Sequence, residues 1–256
     1  CLHINDGSGY FQETGLLSGV AATDWSWGAL IFDFENDGNK DIFISNGIIK
    51  DIMDRDFLEF YTDRSKVKSF IDRQGRFDYR DFVPMMPSKP LENYAFENNG
   101  TLIFQNKAVE MGLADPSFSN GAAYGDLDND GDMDLVINNE NSICFVYRNE
   151  TESRSGNHYL KVRFKGPAGN PFGIGAGVTL KINGETRVLQ NFNSRGFESS
   201  TEPNLIFGLG KSEDIDELKV LWPDGKAQVF SGIKPDQSLM LDYNQATTGE
   251  KFAEVK

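Results

Sequence analysis

Histidine and cysteine are almost missing from this chain, with two of each in 256 residues. His3 and His158 lie in no motif with a nucleophile, so triad-type chemistry has no candidate. Cys1 and Cys144 form neither a C-x-x-C motif nor a Cys–His pair, and two cysteines so far apart say little about compartment. Basic residues are also scarce: 25 Lys and Arg stand against 39 Asp and Glu, for a net charge of −14. Nucleic-acid binding runs on phosphate neutralisation by Lys and Arg, and no basic stripe is present. No signal peptide, apolar span or stop-transfer segment is visible. These absences point to a protein that is not an enzyme, has no nucleic-acid partner and has no membrane span. Carboxylate pairs of the glycosidase type are the one catalytic arrangement so acidic a chain leaves open. The acids that fall into a pattern, however, have another reading.

That pattern is densest in "GDLDNDGDMDLVINN", residues 125–139, where Asp126, Asp128, Asp130, Asp132 and Asp134 crowd into nine positions. Their mutual repulsion costs stability unless a cation offsets it. In D-x-D-x-D-G-x-x-D, carboxylates at positions 1, 3 and 5 can face one side of a tight loop, and Gly131 at position 6 permits the turn. A backbone carbonyl at position 7 can then point inward. Hard oxygen ligands in this number suit calcium rather than zinc or copper. An EF-hand needs Glu at position 12 and flanking helices. Position 12 here is Ile137, and the flanks are β-branched and apolar, so the pattern predicts a strand–loop–strand site.

The pattern recurs 93 residues earlier. "FDFENDGNKDIFISNG" aligns Asp33, Glu35, Asp37, Gly38 and Asp41 with Asp126, Asp128, Asp130, Gly131 and Asp134. Glu35 replaces aspartate at position 3, and its extra methylene predicts a less preorganised, weaker first site. "NDGSGYFQE" and "NNGTLIFQN" repeat at the same spacing, as do Trp27-Gly28-Ala29 and Asn120-Gly121-Ala122. Without an insertion at residues 48–93, the unit has roughly 45 to 50 residues, the size of a four-stranded propeller blade. "FVYRNE", residues 145–150, reads as the first strand of a further unit. These residues resemble the FG-GAP/VCBS repeat family. The resemblance implies β-propeller blades and two Ca2+ sites, with side-chain ligands Asp33, Glu35, Asp37 and Asp41, then Asp126, Asp128, Asp130 and Asp134. It also implies backbone carbonyl ligands from Asn39 and Asp132.

Within the insertion, Ile49, Ile52 or Met53, Phe57, and Phe60 or Tyr61 recur at three- and four-residue steps, the period of an amphipathic helix. "VPMMPSKP" ends it with three prolines. Two roles stay open: a decoration packed on the propeller rim, or a partner-binding surface.

Residues 157–243 alternate in period two through "YLKVRFKG", "GVTLKING", "TRVLQNF", "NLIFGLG", "DELKVLWPDG" and "QSLMLDY". Turn signals at Asn183-Gly184, Asp224-Gly225 and Pro235-Asp236 separate them, which predicts a sandwich or barrel. "NPFGIGAGV", "FGLG" and "VLWPDG" resemble the ASPIC/UnbV domain family, which follows FG-GAP repeats in many secreted bacterial proteins. "GIGAG" is read as a glycine-rich bend, because a strand rather than a helix follows it. Trp222 is read as a core anchor.

The expected fold is therefore all-β: a partial β-propeller of two FG-GAP-type blades over residues 1–150, with a helical insertion at 48–93, then a β-sandwich-like ASPIC/UnbV domain over 151–256. Two blades do not close a propeller, so the chain reads as the C-terminal part of a longer secreted or surface protein. The expected function is a non-catalytic, calcium-binding adhesion or ligand-binding module outside the cytoplasm, with a protein or glycan partner. One alternative is a carbohydrate-binding accessory region of a larger secreted enzyme. A third class, RNA binding, is weaker for want of basic residues.

Overall fold

The computed structural model describes residues 1–248, and its architecture is all-β. Strands β1 (His3–Asn5) and β2 (Phe11–Glu13) form a hairpin. A four-stranded antiparallel sheet follows, in the order β3 (Ser26–Phe32), β4 (Asp41–Asn46), β5 (Tyr94–Asn98), β6 (Phe104–Asn106). The next sheet has three strands: β7 (Ser119–Gly125), β8 (Asp134–Asn139) and β9 (Phe145–Tyr147).

The repeat is visible in the register. Leu30 pairs with Phe43 across β3 and β4, and Ala123 pairs with Val136 across β7 and β8. A β-bulge falls between Ser26 and Ala29 in one sheet and between Ser119 and Ala122 in the other. The phasing differs from the sequence expectation. The "FVYRNE" strand, β9, pairs with β8 and closes the second sheet rather than opening a third unit. β5 likewise pairs with β4 in the first sheet, but there the chain passes through a turn to a further strand, β6, which forms the edge.

Alternation decides which residues form the core. Leu30 and Phe32 of β3 point inward while Ile31 between them is half exposed. β4 is covered on both faces: Phe43 joins Leu30, Phe34, Leu135 and Ile137 between the two sheets, and Ile42 packs with Phe96 and Phe104 on the outer side.

The insertion holds two short helices, α1 (Arg55–Thr62) and α2 (Arg64–Gln74). Asp63 divides them. Its backbone N–H donates to the Phe60 carbonyl, and its carboxylate caps Ser65 and Lys66. The helical reading of Ile49, Ile52 and Met53 is corrected, since they precede the Asp54 N-cap. Neither helix has a fully buried residue, and their apolar faces meet the ring of Phe82 from Phe60 and Phe70.

After α3 (Thr151–Arg154), the second half forms two sheets. One orders β13 (Leu205–Gly210), β10 (His158–Lys165) and β16 (Gln237–Asp242), with β10 and β16 parallel. The other orders β12 (Glu185–Gln190), β11 (Gly177–Ile182), β14 (Glu217–Leu221), β15 (Lys226–Phe230) and β17 (Thr247–Thr248). The sequence reading placed the Asp224-Gly225 turn but omitted β15, the strand that follows it. Leu160, Val162, Leu180, Leu218 and Val220 fill the space between the sheets. Trp222 is buried there, and its indole N–H donates to Gln228 Oε1 at 3.1 Å. The amides of the "GIGAG" bend are taken up internally, Gly173 N–H by the Asn170 carbonyl and Gly175 N–H by that of Asn191.

Packing is continuous across residue 150. β13 is buried on both faces: Leu205, Phe207 and Leu209 enter the sandwich core, while Ile206 enters the core of the N-terminal sheets. The acidic loops lie against this same surface.

Candidate metal centre

The two acidic loops share one backbone shape. Asn36 and Asn129 at position 4 have φ of 58° and 65°, and Gly38 and Gly131 at position 6 have φ of 97° and 100°. Only glycine adopts the latter at little cost, and each is covered by the sandwich, Gly38 by Arg187 and Gly131 by the ring of Tyr159. The aspartate at position 9 clasps each loop. Asp41 accepts from Phe34 N–H (2.7 Å) and Asn98 N–H (2.8 Å), and Asp134 accepts from Leu127 N–H (2.9 Å) and Asn149 N–H (2.8 Å). Asn98 and Asn149 complete the equivalence, their side-chain amides donating to the Lys40 and Met133 carbonyls.

In the first loop, one carboxylate oxygen each from Asp33, Glu35 and Asp41 lie within 4.8 Å of one another. Asp33 accepts from the Asp37 and Gly38 amides at 3.1 and 2.8 Å. Asp37 stands outside the cluster, because both its oxygens accept from Asn39, through backbone and side chain at 2.7 Å each. Glu35 Oε2 is buried with no hydrogen-bond partner. Burial, reinforced by the carboxylates of Asp41, Asp37, Asp33 and Glu97, pushes Glu35 up to about 9. Burial raises Asp33 to about 6 and Asp41 to about 7. Among the described residues, no ion pair within 4.0 Å reaches any of the three clustered acids. An ion of charge +2 would offset the mutual repulsion that, with burial, raises these groups.

The second loop is built from the same pattern but meets two cations. Lys161 of β10, itself buried, places its ammonium 2.7 Å from Asp126 Oδ2, 3.4 Å from Asn129 Oδ1 and 3.9 Å from Glu202 Oε1. Arg148 reaches Asp128 at 2.8 Å and Asp130 at 3.4 Å. Asp126, Asp128 and Asp130 still gather within 4.8 Å, and so do Asp130, Asp132 and Glu152. Asp134 stands outside both groups. Asp132, expected to contribute a carbonyl, has a fully buried side chain. Its Oδ2 accepts from Thr151 and Glu152 N–H at 2.9 and 3.3 Å, and its Oδ1 has no partner. Burial, with Asp130 and Glu152 beside it, pushes Asp132 up to about 8.

Every donor in these clusters is a carboxylate oxygen, and such a set fits a hard divalent cation and not a soft one. Sequence reasoning missed Lys161, Arg148 and Glu152. Lys161 sits at an outward position of an alternating strand, where a solvated lysine is the ordinary expectation; here the acidic loop covers that face. Glu152 follows the repeat and has no counterpart in it.

The sandwich also carries the relationship to known proteins. Residues 166–248 match the family described as ASPIC and UnbV. The second half therefore contains an ASPIC/UnbV domain. Over 282 aligned positions the chain is 27% identical to cartilage acidic protein 1 of Xenopus tropicalis, covering 94% of this chain and 40% of that protein. The chain thus spans less than half the length of this relative. The similarity runs through the acidic loops as well as the ASPIC/UnbV domain. Among the described residues, no helix is long and apolar enough to cross a membrane.

Proposed function

We propose that this chain is a non-catalytic, calcium-stabilised ligand-binding module that works outside the cytoplasm, its two sheets acting as FG-GAP-type propeller blades. The observation that carries this reading is the pair of equivalent loops, each gathering three carboxylate oxygens within 4.8 Å and each leaving a buried oxygen unpartnered. Calcium would cancel the repulsion inside the loops and fix the sheets against the ASPIC/UnbV domain. A cavity of about 450 Å³ supports a ligand-binding role. It is walled by Phe32, Phe34, Met133 and Leu135, and Glu35, Arg148 and Arg154 also line it. Glu35 of the first loop lines the cavity, and so does Arg148, which pairs with Asp128 and Asp130 of the second, so metal binding and cavity shape are linked. A protein or glycan segment with an apolar group and charged neighbours suits such a recess.

The test is thermal unfolding of metal-free protein with and without calcium. Each site adds roughly 2.7 kcal/mol at a hundredfold excess of calcium over its Kd. Magnesium, which requires tighter octahedral geometry, should substitute poorly. An unchanged melting temperature would refute the calcium reading. A glycan array run with calcium and with chelator then separates glycan from protein partners.

A further inference from the structure

We propose that the second loop holds its divalent cation not at the position-1 and position-3 aspartates but at Asp130, Asp132 and Glu152, because Lys161 already serves Asp126 as a built-in cation. The proposal rests on the calcium reading above and changes its ligand set.

Three observations lead here. First, the buried Lys161 ammonium lies 2.7 Å from Asp126 and has Asn129 and Glu202 as further oxygen neighbours. A second cation beside Asp126 would face this fixed positive charge at close range and in a poorly screened setting. Second, Asp130, Asp132 and Glu152 bring one oxygen each within 4.8 Å of the others, a group that includes Asp130 but not Asp126, the acid Lys161 holds. Third, Asp132 has no exposed surface, its Oδ1 lacks any hydrogen-bond partner, and among the described residues no ion pair within 4.0 Å reaches it; Asp126 Oδ1 is unpartnered too, but its carboxylate already has the Lys161 ammonium. A buried charged oxygen without a partner is costly, and a cation between Asp132 and Glu152 would supply that partner.

The local fold holds these groups in place. Thr151 and Glu152 N–H donate to Asp132 Oδ2, so the turn that presents Glu152 is fastened to the acid it would share a metal with. Arg148 approaches Asp130 at 3.4 Å and Glu152 at 3.8 Å, but it is a surface side chain and would yield to a divalent ion. In the first loop, among the described residues, no lysine comes within 4.0 Å of Asp33, Lys40 acting on it only from farther away, and the position-1 acid remains in its cluster.

Calcium titration of the metal-free full chain by isothermal calorimetry tests this. Glu152→Gln and Asp128→Asn both alter surface residues, so neither endangers the fold. We expect two calcium ions per chain. Glu152→Gln should weaken one at least tenfold, and Asp128→Asn should leave both within threefold. Asp132→Asn, which preserves size and the acceptor for Thr151 N–H, should reproduce the Glu152→Gln loss. Two sites in the wild type with the reverse pattern, Asp128→Asn damaging and Glu152→Gln silent, would overturn this assignment and leave the calcium reading intact. No calcium binding to the wild type would overturn both.

Discussion

The Asn36 side-chain amide donates to the Gly131 carbonyl at 3.1 Å, which joins the fourth residue of one acidic loop to the sixth residue of the other. Asn36 is buried with φ of 58°, and its own carbonyl accepts from Gly210 N–H at 2.9 Å. One residue therefore ties both loops and β13 together. Asn36→Ala leaves the Gly131 carbonyl without this donor and forces alanine into a left-handed conformation. Each effect costs about 1 to 2 kcal/mol. Asn36→Gly suffers only the first. Urea denaturation should rank wild type above Asn36→Gly above Asn36→Ala; equal stability of the two variants would show that the backbone conformation contributes nothing.

Protonation offers a second test. Glu35 is pushed up to about 9 in the folded protein, chiefly by burial and then by neighbouring acids, against an ordinary value of 4.5. The metal-free folded state therefore holds a proton that the unfolded chain releases. Its contribution to stability is complete below about pH 4.5 and lost as pH rises toward 9. Without calcium, the Glu35 contribution should fall from pH 5 to pH 8. Calcium binding at pH 7 should expel the proton, so its observed enthalpy should depend on the ionisation enthalpy of the buffer. Glu35→Gln should reduce that dependence, leaving the part that comes from Asp132 and Asp41. A buffer-independent enthalpy in the wild type would mean Glu35 is already ionised.

The repeat and most of the strands were legible because they depend on local rules. Position-specific acids, Gly38 and Gly131 at positive φ, and period-two alternation all act within a few residues. The phase of the repeat was not legible, since β9 and β5 look alike in sequence whichever sheet they join. Lys161 and Glu152 were missed for a related reason. Their roles depend on contacts 35 and 20 residues away, to Asp126 and Asp132, and no local pattern announces those. Ile206 was hidden by the same logic. It occupies the outward position of an alternating strand, but a second core lies on that side.

Ile206 in turn predicts how the chain unfolds. It packs in the core of the N-terminal sheets although it belongs to β13, the strand that also carries Phe207 into the sandwich. Residues on both sides of position 150 should therefore unfold together. Ile206→Ala should destabilise the whole protein by about 2 to 5 kcal/mol, the ordinary range for removing a buried isoleucine side chain down to alanine. Denaturation followed by tryptophan fluorescence and by far-UV circular dichroism should give coincident single transitions. Two separate transitions, with only one shifted by Ile206→Ala, would show that the two cores are independent.

The loops themselves give the last prediction. Composition favours the second, which has aspartate at positions 1, 3, 5 and 9, where the first substitutes Glu35 at position 3. The surroundings favour the first. Lys161 and Arg148 pair with Asp126, Asp128 and Asp130, whereas Asp33, Glu35 and Asp41 have no ion pair among the described residues. Lys40 acts on Asp33 and Asp41 only from beyond ion-pair distance, and a buried carboxylate cluster so weakly compensated gains more from a divalent ion than one already in contact with an ammonium and a guanidinium. The first loop should therefore dominate calcium stabilisation, despite its longer side chain. Filling one site at a hundredfold excess over Kd should raise the melting temperature by roughly 5 to 10 °C. Glu35→Ala should remove most of the calcium-induced rise, and Asp128→Ala should leave most of it. Without calcium the order should reverse: Glu35→Ala removes a buried carboxyl with an unpartnered oxygen and should cost little, while Asp128→Ala removes the 2.8 Å partner of Arg148. A calcium shift that survives Glu35→Ala and vanishes in Asp128→Ala would show that position 3 chemistry, and not the neighbouring cations, sets the affinity.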